Sequence, residues 1–104
     1  MGLMTLGQKQ ELFAKLIAEH ITWLYSQNYQ VRCGDFFAKL REPNEHKPNS
    51  NHYIKCAADL NLFQKGFYLS KTEDHKASGE MWETRHPQCR WGGRYNDGNH
   101  YEII

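Results

Sequence analysis

The stretch Ala57–Leu69, AADLNLFQKGFYL, decides the fold. Leu60 and Leu62 alternate with Asp59, Asn61 and Phe63, the period of a strand with one face in a core. Lys65-Gly66 supplies a turn and Phe67 to Leu69 returns, so residues 57–69 read as a β-hairpin.

Outward from the hairpin the chain changes period. From Thr5, the residues Leu12, Phe13, Leu16, Ile17, His20, Ile21 and Leu24 form one apolar helical stripe. Thr5 with Gln8 three positions later reads as a capping box, and Asn28 suits a C-terminal stop. About 20 residues at 1.5 Å each make a rod about 30 Å long, suited to covering one face of a sheet. Within that stripe His20 is expected to be a histidine at the edge of the core. Tyr29 to Phe37 alternates as a strand until Gly34 and Asp35 impose a bend or bulge. Residues 38–51 are polar, carry Pro43 and Pro48, and read as a loop. A helix is expected from Thr72 through Met81 and Trp82, ending before Pro87. After it, WGG opens a glycine-rich loop and HYEII forms a final strand. The order helix, strand, loop, hairpin, helix, strand predicts an α+β fold. In it a small antiparallel sheet packs against the N-terminal helix, with a second short helix.

Composition sets the frame. The 104 residues are enough for one core. A net charge of +1 without a dense Lys/Arg block excludes nucleic acid or an anionic membrane as the expected partner. No apolar run approaches the roughly 18 residues of a spanning helix, so no membrane insertion is expected. The start, MGLMTLGQKQELF, has neither the basic nor the apolar segment of a secretory signal. Cys33, Cys56 and Cys89 are widely spaced and odd in number, which favours reduced, partly buried thiols over a disulfide framework. Without a Cys-x-x-Cys knuckle they do not suggest a structural zinc site either.

The chemistry begins at NSNHYIKCAADLNLF, residues 49–63, where His52 and Asp59 stand seven positions apart. On one strand that spacing puts them on opposite faces, and on one helix about 10 Å apart along the axis. Two ligands of one tetrahedral zinc lie only about 3–3.5 Å from each other, so the chain must turn between them. A shared metal is permitted by this geometry and not demanded by it, and with six histidines such spacings also arise by accident. His100, at the head of the last strand, offers a third ligand. Asp97, in a loop of asparagines and glycine, offers a carboxylate that can face the metal without binding it. Three ligands, an open position for water and a nearby base are the parts of a zinc hydrolase.

These residues in this order resemble a known family. SNHYIKCAADLNLF followed by WGGRYNDGNHYE is similar to the zinc peptidases that cut bacterial cell-wall stem peptides. These are the D-Ala-D-Ala carboxypeptidases and phage L-alanyl-D-glutamate endopeptidases of the lysostaphin/D-Ala-D-Ala/Hedgehog-like group. Ser50, His52, Asp59, Leu60, Trp91, Gly92, Gly93, Asp97 and His100 match its pattern, and the likeness covers nearly the whole chain. The resemblance implies that His52, Asp59 and His100 hold Zn2+ and that Asp97 is the general base. It implies a peptidoglycan stem-peptide substrate, with L-alanyl-D-glutamate endopeptidase activity of a phage endolysin preferred over D-Ala-D-Ala carboxypeptidase. A non-catalytic, metal-containing wall-binding module is the alternative. Residues 1–104 would form a single zinc peptidase domain, monomeric and without a wall-binding domain. The protein would accumulate in the host bacterial cytoplasm before reaching the periplasm and wall.

Three departures from the family stand out. Lys55 replaces a frequent glycine, and Gly98 replaces a frequent histidine two residues before the last ligand. Ala38 stands where small phage members carry an arginine, a candidate to stabilise the oxyanion. Lys39, Arg41 and Arg32 are the basic residues available to substitute, and Arg41 is the choice. The remaining polar residues are given structural roles: Ser50 in the turn, His75 at the second helix, Glu102 as a solvated edge charge rather than a support for the metal site. Trp82, Trp91 and the other aromatics are expected mainly in the core.

Overall fold

Helix α1, Leu6–Ser26, begins where its cap dictates. In the computed structural model, which describes residues 4–36 and 55–104, the Thr5 hydroxyl accepts from the Gln8 N–H (3.1 Å) and the Gln8 side chain accepts from the Thr5 N–H (2.9 Å). The capping box thus satisfies two N–H groups that the helix cannot. At the other end Asn28 turns the chain with φ +67°, a left-handed conformation that asparagine tolerates better than most residues. Phe13, Leu16, Ile17, His20 and Leu24 are the buried stripe.

Among the described residues five antiparallel strands follow: β1 (Gln30–Cys33), β2 (Ala57–Gln64), β3 (Phe67–Tyr68), β4 (Cys89–Trp91) and β5 (His100–Ile103). Their order is β1-β2-β5-β4, with β3 paired to the end of β2. The hairpin β2–β3 turns through Lys65 (φ +51°) and Gly66 (φ +82°), the pair of positive angles that a type I′ turn requires. Leu60 and Leu62 face the core at 0% exposure, while Asp59 and Asn61 face the opposite side.

The second helical segment opens as a 3₁₀ turn, Thr72–His75, and continues as α2, Lys76–Thr84. Trp82 of α2 joins it to the rest, packing edge-on against Phe13 and Tyr101 with ring centroids 6.0 Å apart in each case. Its indole N–H donates to the Glu102 carbonyl (3.0 Å). Beside it runs a buried polar chain. Arg85 Nε donates to His20 Nδ1 (2.8 Å), His20 Nε2 donates to Ser78 Oγ (2.9 Å), and Ser78 Oγ bonds the Tyr101 hydroxyl (2.7 Å). Burial and the Arg85 charge lower the His20 pKa to about 3.

The α+β architecture agrees with the sequence reading, and two details after α2 differ. Cys89–Trp91 is a strand rather than the approach to a loop, and Gly92–Tyr95 is a 3₁₀ turn. The first strand stops at Cys33, before Gly34 and Asp35 as expected, and of the free thiols Cys33 is exposed while Cys56 and Cys89 are buried. Among the described residues no helix is long and apolar enough to cross a membrane.

Candidate metal centre

Of the expected site residues, Asp59, Asp97 and His100 are described; His52, Arg41, Ser50, Ala38 and Lys39 lie outside the described residues. Asp59 sits in β2 directly opposite His100 in β5. Its backbone is turned the other way: the Asp59 N–H donates to Asp35 O (2.9 Å), and its carbonyl accepts from Gly34 N–H (2.8 Å). Asp59 and His100 therefore form a non-hydrogen-bonded cross-strand pair, the kind in which side chains lie closest. Gly34 permits this seating, because a Cβ there would lie 3.0 Å from Asp59 Cβ.

The carboxylate and imidazole meet. Asp59 Oδ1 lies 3.6 Å from His100 Nδ1, and on the far side of the ring Nε2 lies 3.1 Å from Glu102 Oε1. A carboxylate that also receives Arg90 Nε (2.5 Å) and the Tyr95 hydroxyl (3.0 Å) is an acceptor, so His100 donates through Nε2. Burial opposes a charge on His100, but contact with Asp59 and the hydrogen bond to Glu102 outweigh it and raise its pKa to about 9. The surroundings of Nδ1 thus favour positive charge. Neutral His100 would turn an Nδ1 lone pair towards Asp59, at a separation close to the ~3–3.5 Å between two ligands of one zinc. The donor types and their spacing fit a zinc ion, with one further ligand required. Among the described residues no group of three or more candidate ligands gathers.

Glu102 corrects the sequence reading. It is 3% exposed rather than a solvated edge charge, because β5 lies between β2 and β4 and is not an edge strand. The signal was its alternation with His100, two residues apart on one face. Arg90 and Tyr95, which hold Glu102, carried no such signal.

Trp91 shows why glycines surround it. Its indole lies where a Cβ on Gly79 would be 2.0 Å from the ring and a Cβ on Gly93 2.2 Å, and its N–H donates to Gly98 O (2.7 Å). This packing ties α2 to the loop that carries Asp97. The Asp97 carbonyl accepts from the His100 N–H (3.1 Å), so the loop ends on the backbone of β5. The Asp97 side chain is exposed and lines a groove of about 170 Å³ with Thr72, His75, Asn96 and Asn99. His75 is buried and bonds the Leu69 carbonyl through Nε2 (2.9 Å), in keeping with a structural role.

Lys55 and Gly98, singled out in the sequence, each meet a backbone constraint. Lys55 has φ +59°, a conformation that glycine adopts at less cost. Gly98 packs so closely that a Cβ would lie 2.6 Å from Thr72 Cα, leaving no place for a histidine without moving that backbone. No protein-family model matches the chain, and no curated protein matches it.

Proposed function

We propose that the protein is a zinc-dependent peptidase that hydrolyses peptidoglycan stem peptides, an L-alanyl-D-glutamate endopeptidase acting as a phage endolysin. The observation that carries this reading is the cross-strand pair, with Asp59 Oδ1 3.6 Å from His100 Nδ1 and Glu102 fixing the opposite nitrogen. His52, Asp59 and His100 would hold the ion. Zinc, when bound, supplies Lewis acidity that polarises an amide carbonyl and acidifies water. Asp97, exposed beside the groove, takes a proton from the attacking water and returns it to the leaving amine. Arg41 is the proposed partner of the developing oxyanion. The enzyme would work as a monomer, made in the host bacterial cytoplasm and acting at the wall.

Ala38 in place of the family's arginine favours one second reading, a metal-containing module that binds wall peptides without cutting them. Purified peptidoglycan incubated with the protein, with and without chelator, separates the two by mass spectrometry of the muropeptides. Chelator-sensitive cleavage between L-alanine and D-glutamate is expected. Zinc-loaded protein that releases no new amine would overturn the peptidase reading, and loss of terminal D-alanine would reassign it as a carboxypeptidase.

A further inference from the structure

The geometry points to Glu102 as a positioning residue that determines which His100 nitrogen meets the metal and how tightly the metal is held. The inference rests on the zinc reading above but concerns a residue that the motif does not include. Glu102 is buried, and its carboxylate gathers donors from three elements. Arg90 Nε comes from β4, the Tyr95 hydroxyl from the 3₁₀ turn after it, and His100 Nε2 from β5 itself. Arg90 stays charged at any working pH, so the carboxylate is compensated where it is buried.

The consequence follows from hydrogen-bond bookkeeping. An ionised carboxylate can only accept, so the N–H of neutral His100 must be on Nε2. The lone pair is then on Nδ1, the nitrogen facing Asp59. Without Glu102 the carboxylate left beside the ring is Asp59, which would draw the N–H onto Nδ1, the nitrogen that the metal needs. Metal-binding histidines are oriented in this way by an outer carboxylate, whose loss typically weakens metal binding about 10–100-fold. The Tyr95 ring also packs beside His100, its centroid 6.2 Å from that of the imidazole.

The test measures zinc affinity by competition with a chromophoric chelator, independently of any cleavage. Glu102→Ala is expected to weaken Zn2+ binding about 10–100-fold. Glu102→Gln, whose amide oxygen still accepts from the imidazole, should recover part of that loss and serves if the alanine variant folds poorly. Glu83→Gln is the control. Glu83 likewise grips an arginine, Arg94, and also the Trp91 N–H, but does not touch His100, so wild-type zinc affinity is expected. Nitrogen-15 shifts of the His100 ring in the zinc-loaded wild type should report a protonated Nε2 and a ligated Nδ1, and this signature should be lost or mixed in Glu102→Ala. A general loss of structure would not produce that selective change. Wild-type affinity in both Glu102 variants overturns the positioning role and leaves the peptidase reading intact. A wild type that binds zinc with Nε2 ligated also overturns the positioning role. Tight zinc binding that depends on Glu102, in a protein that cuts no peptide, supports the role while overturning the peptidase. A wild type that binds no zinc overturns both.

Discussion

Asp97 and His52 occupy different places in the proposed chemistry, and substitution should separate them. The Asp97 backbone carbonyl accepts from the His100 N–H, while its carboxylate is exposed beside the groove. Asp97→Asn keeps that backbone contact and the size of the side chain but removes the proton acceptor. Stoichiometric zinc should be retained while cleavage falls by about 10²–10⁴, the usual worth of a general base. His52→Ala removes a proposed ligand and should lose both. Metal analysis of the purified variants beside wall-lysis rates decides this, and full-rate lysis by Asp97→Asn would remove Asp97 from the role of base. The same scale shows where residue spacing stops being informative. The seven positions between His52 and Asp59 cannot reveal that Asp59 faces His100, because that register is set by backbone bonds to Gly34, Asp35 and Asn99, distant in sequence.

Two helices meet the sheet through contacts of opposite character, one tight and one polar. At the tight contact, Gly79→Ala would force the Trp91 ring away and disturb its bond to Gly98. A loss of about 1–3 kcal/mol in urea unfolding is expected, since overpacking here exceeds the gain in helix propensity. Gly7→Ala in α1 is the comparison: its Cβ would meet nothing nearer than Thr5 Oγ1 at 4.0 Å, and a gain of up to about 1 kcal/mol is expected. The polar contact predicts a pH effect. Burial and Arg85 hold the His20 pKa near 3, whereas the unfolded residue protonates at about 6.5. Below pH 6.5 the unfolded chain binds the extra proton, so stability falls with pH through this window by about 1.4 kcal/mol per unit, down to the folded pKa. His75, also lowered by burial, acts in the same direction, so the difference between wild type and His20→Gln isolates His20. Denaturation measured in chelator between pH 6.5 and 5 should show a flatter profile for the variant; equal slopes would mean that folded His20 is charged. Element by element, α1 was legible because its stripe repeats over 21 residues and its cap is local. The three residues of β4 were not, since CRW has too few positions to show a period and forms only by pairing with β5. Glu102 was misjudged for the related reason that a four-residue terminal strand reads as an edge until β4 closes its other side.

At the scale of the whole molecule, the proposed zinc site would add a ligand-dependent link to β2 and β5, on the face of the sheet away from the core. Asp59 and His100 lie on the sheet face opposite Leu60 and Tyr101, so their pairing adds nothing to the packing around Trp82. A ligand that binds only the folded chain stabilises it by about 2.7 kcal/mol at a hundredfold excess over its Kd. In a domain near 100 residues each kcal/mol raises Tm by about 4–8 °C, so zinc should raise the melting temperature by roughly 10–20 °C at that excess. Chelator should reverse the shift, and calorimetry of metal-free protein titrated with Zn2+ measures it directly. His52→Ala and Asp59→Asn should each abolish most of the shift, and Asp59→Asn should also lower the metal-free Tm, since it removes the carboxylate that helps hold His100 charged. Glu102→Ala should retain a shift only at zinc concentrations about 10–100-fold higher, because it weakens binding without deleting a ligand. A wild-type Tm indifferent to zinc and chelator alike would mean that the two strands bring His100 and Asp59 together for some purpose other than holding a cation.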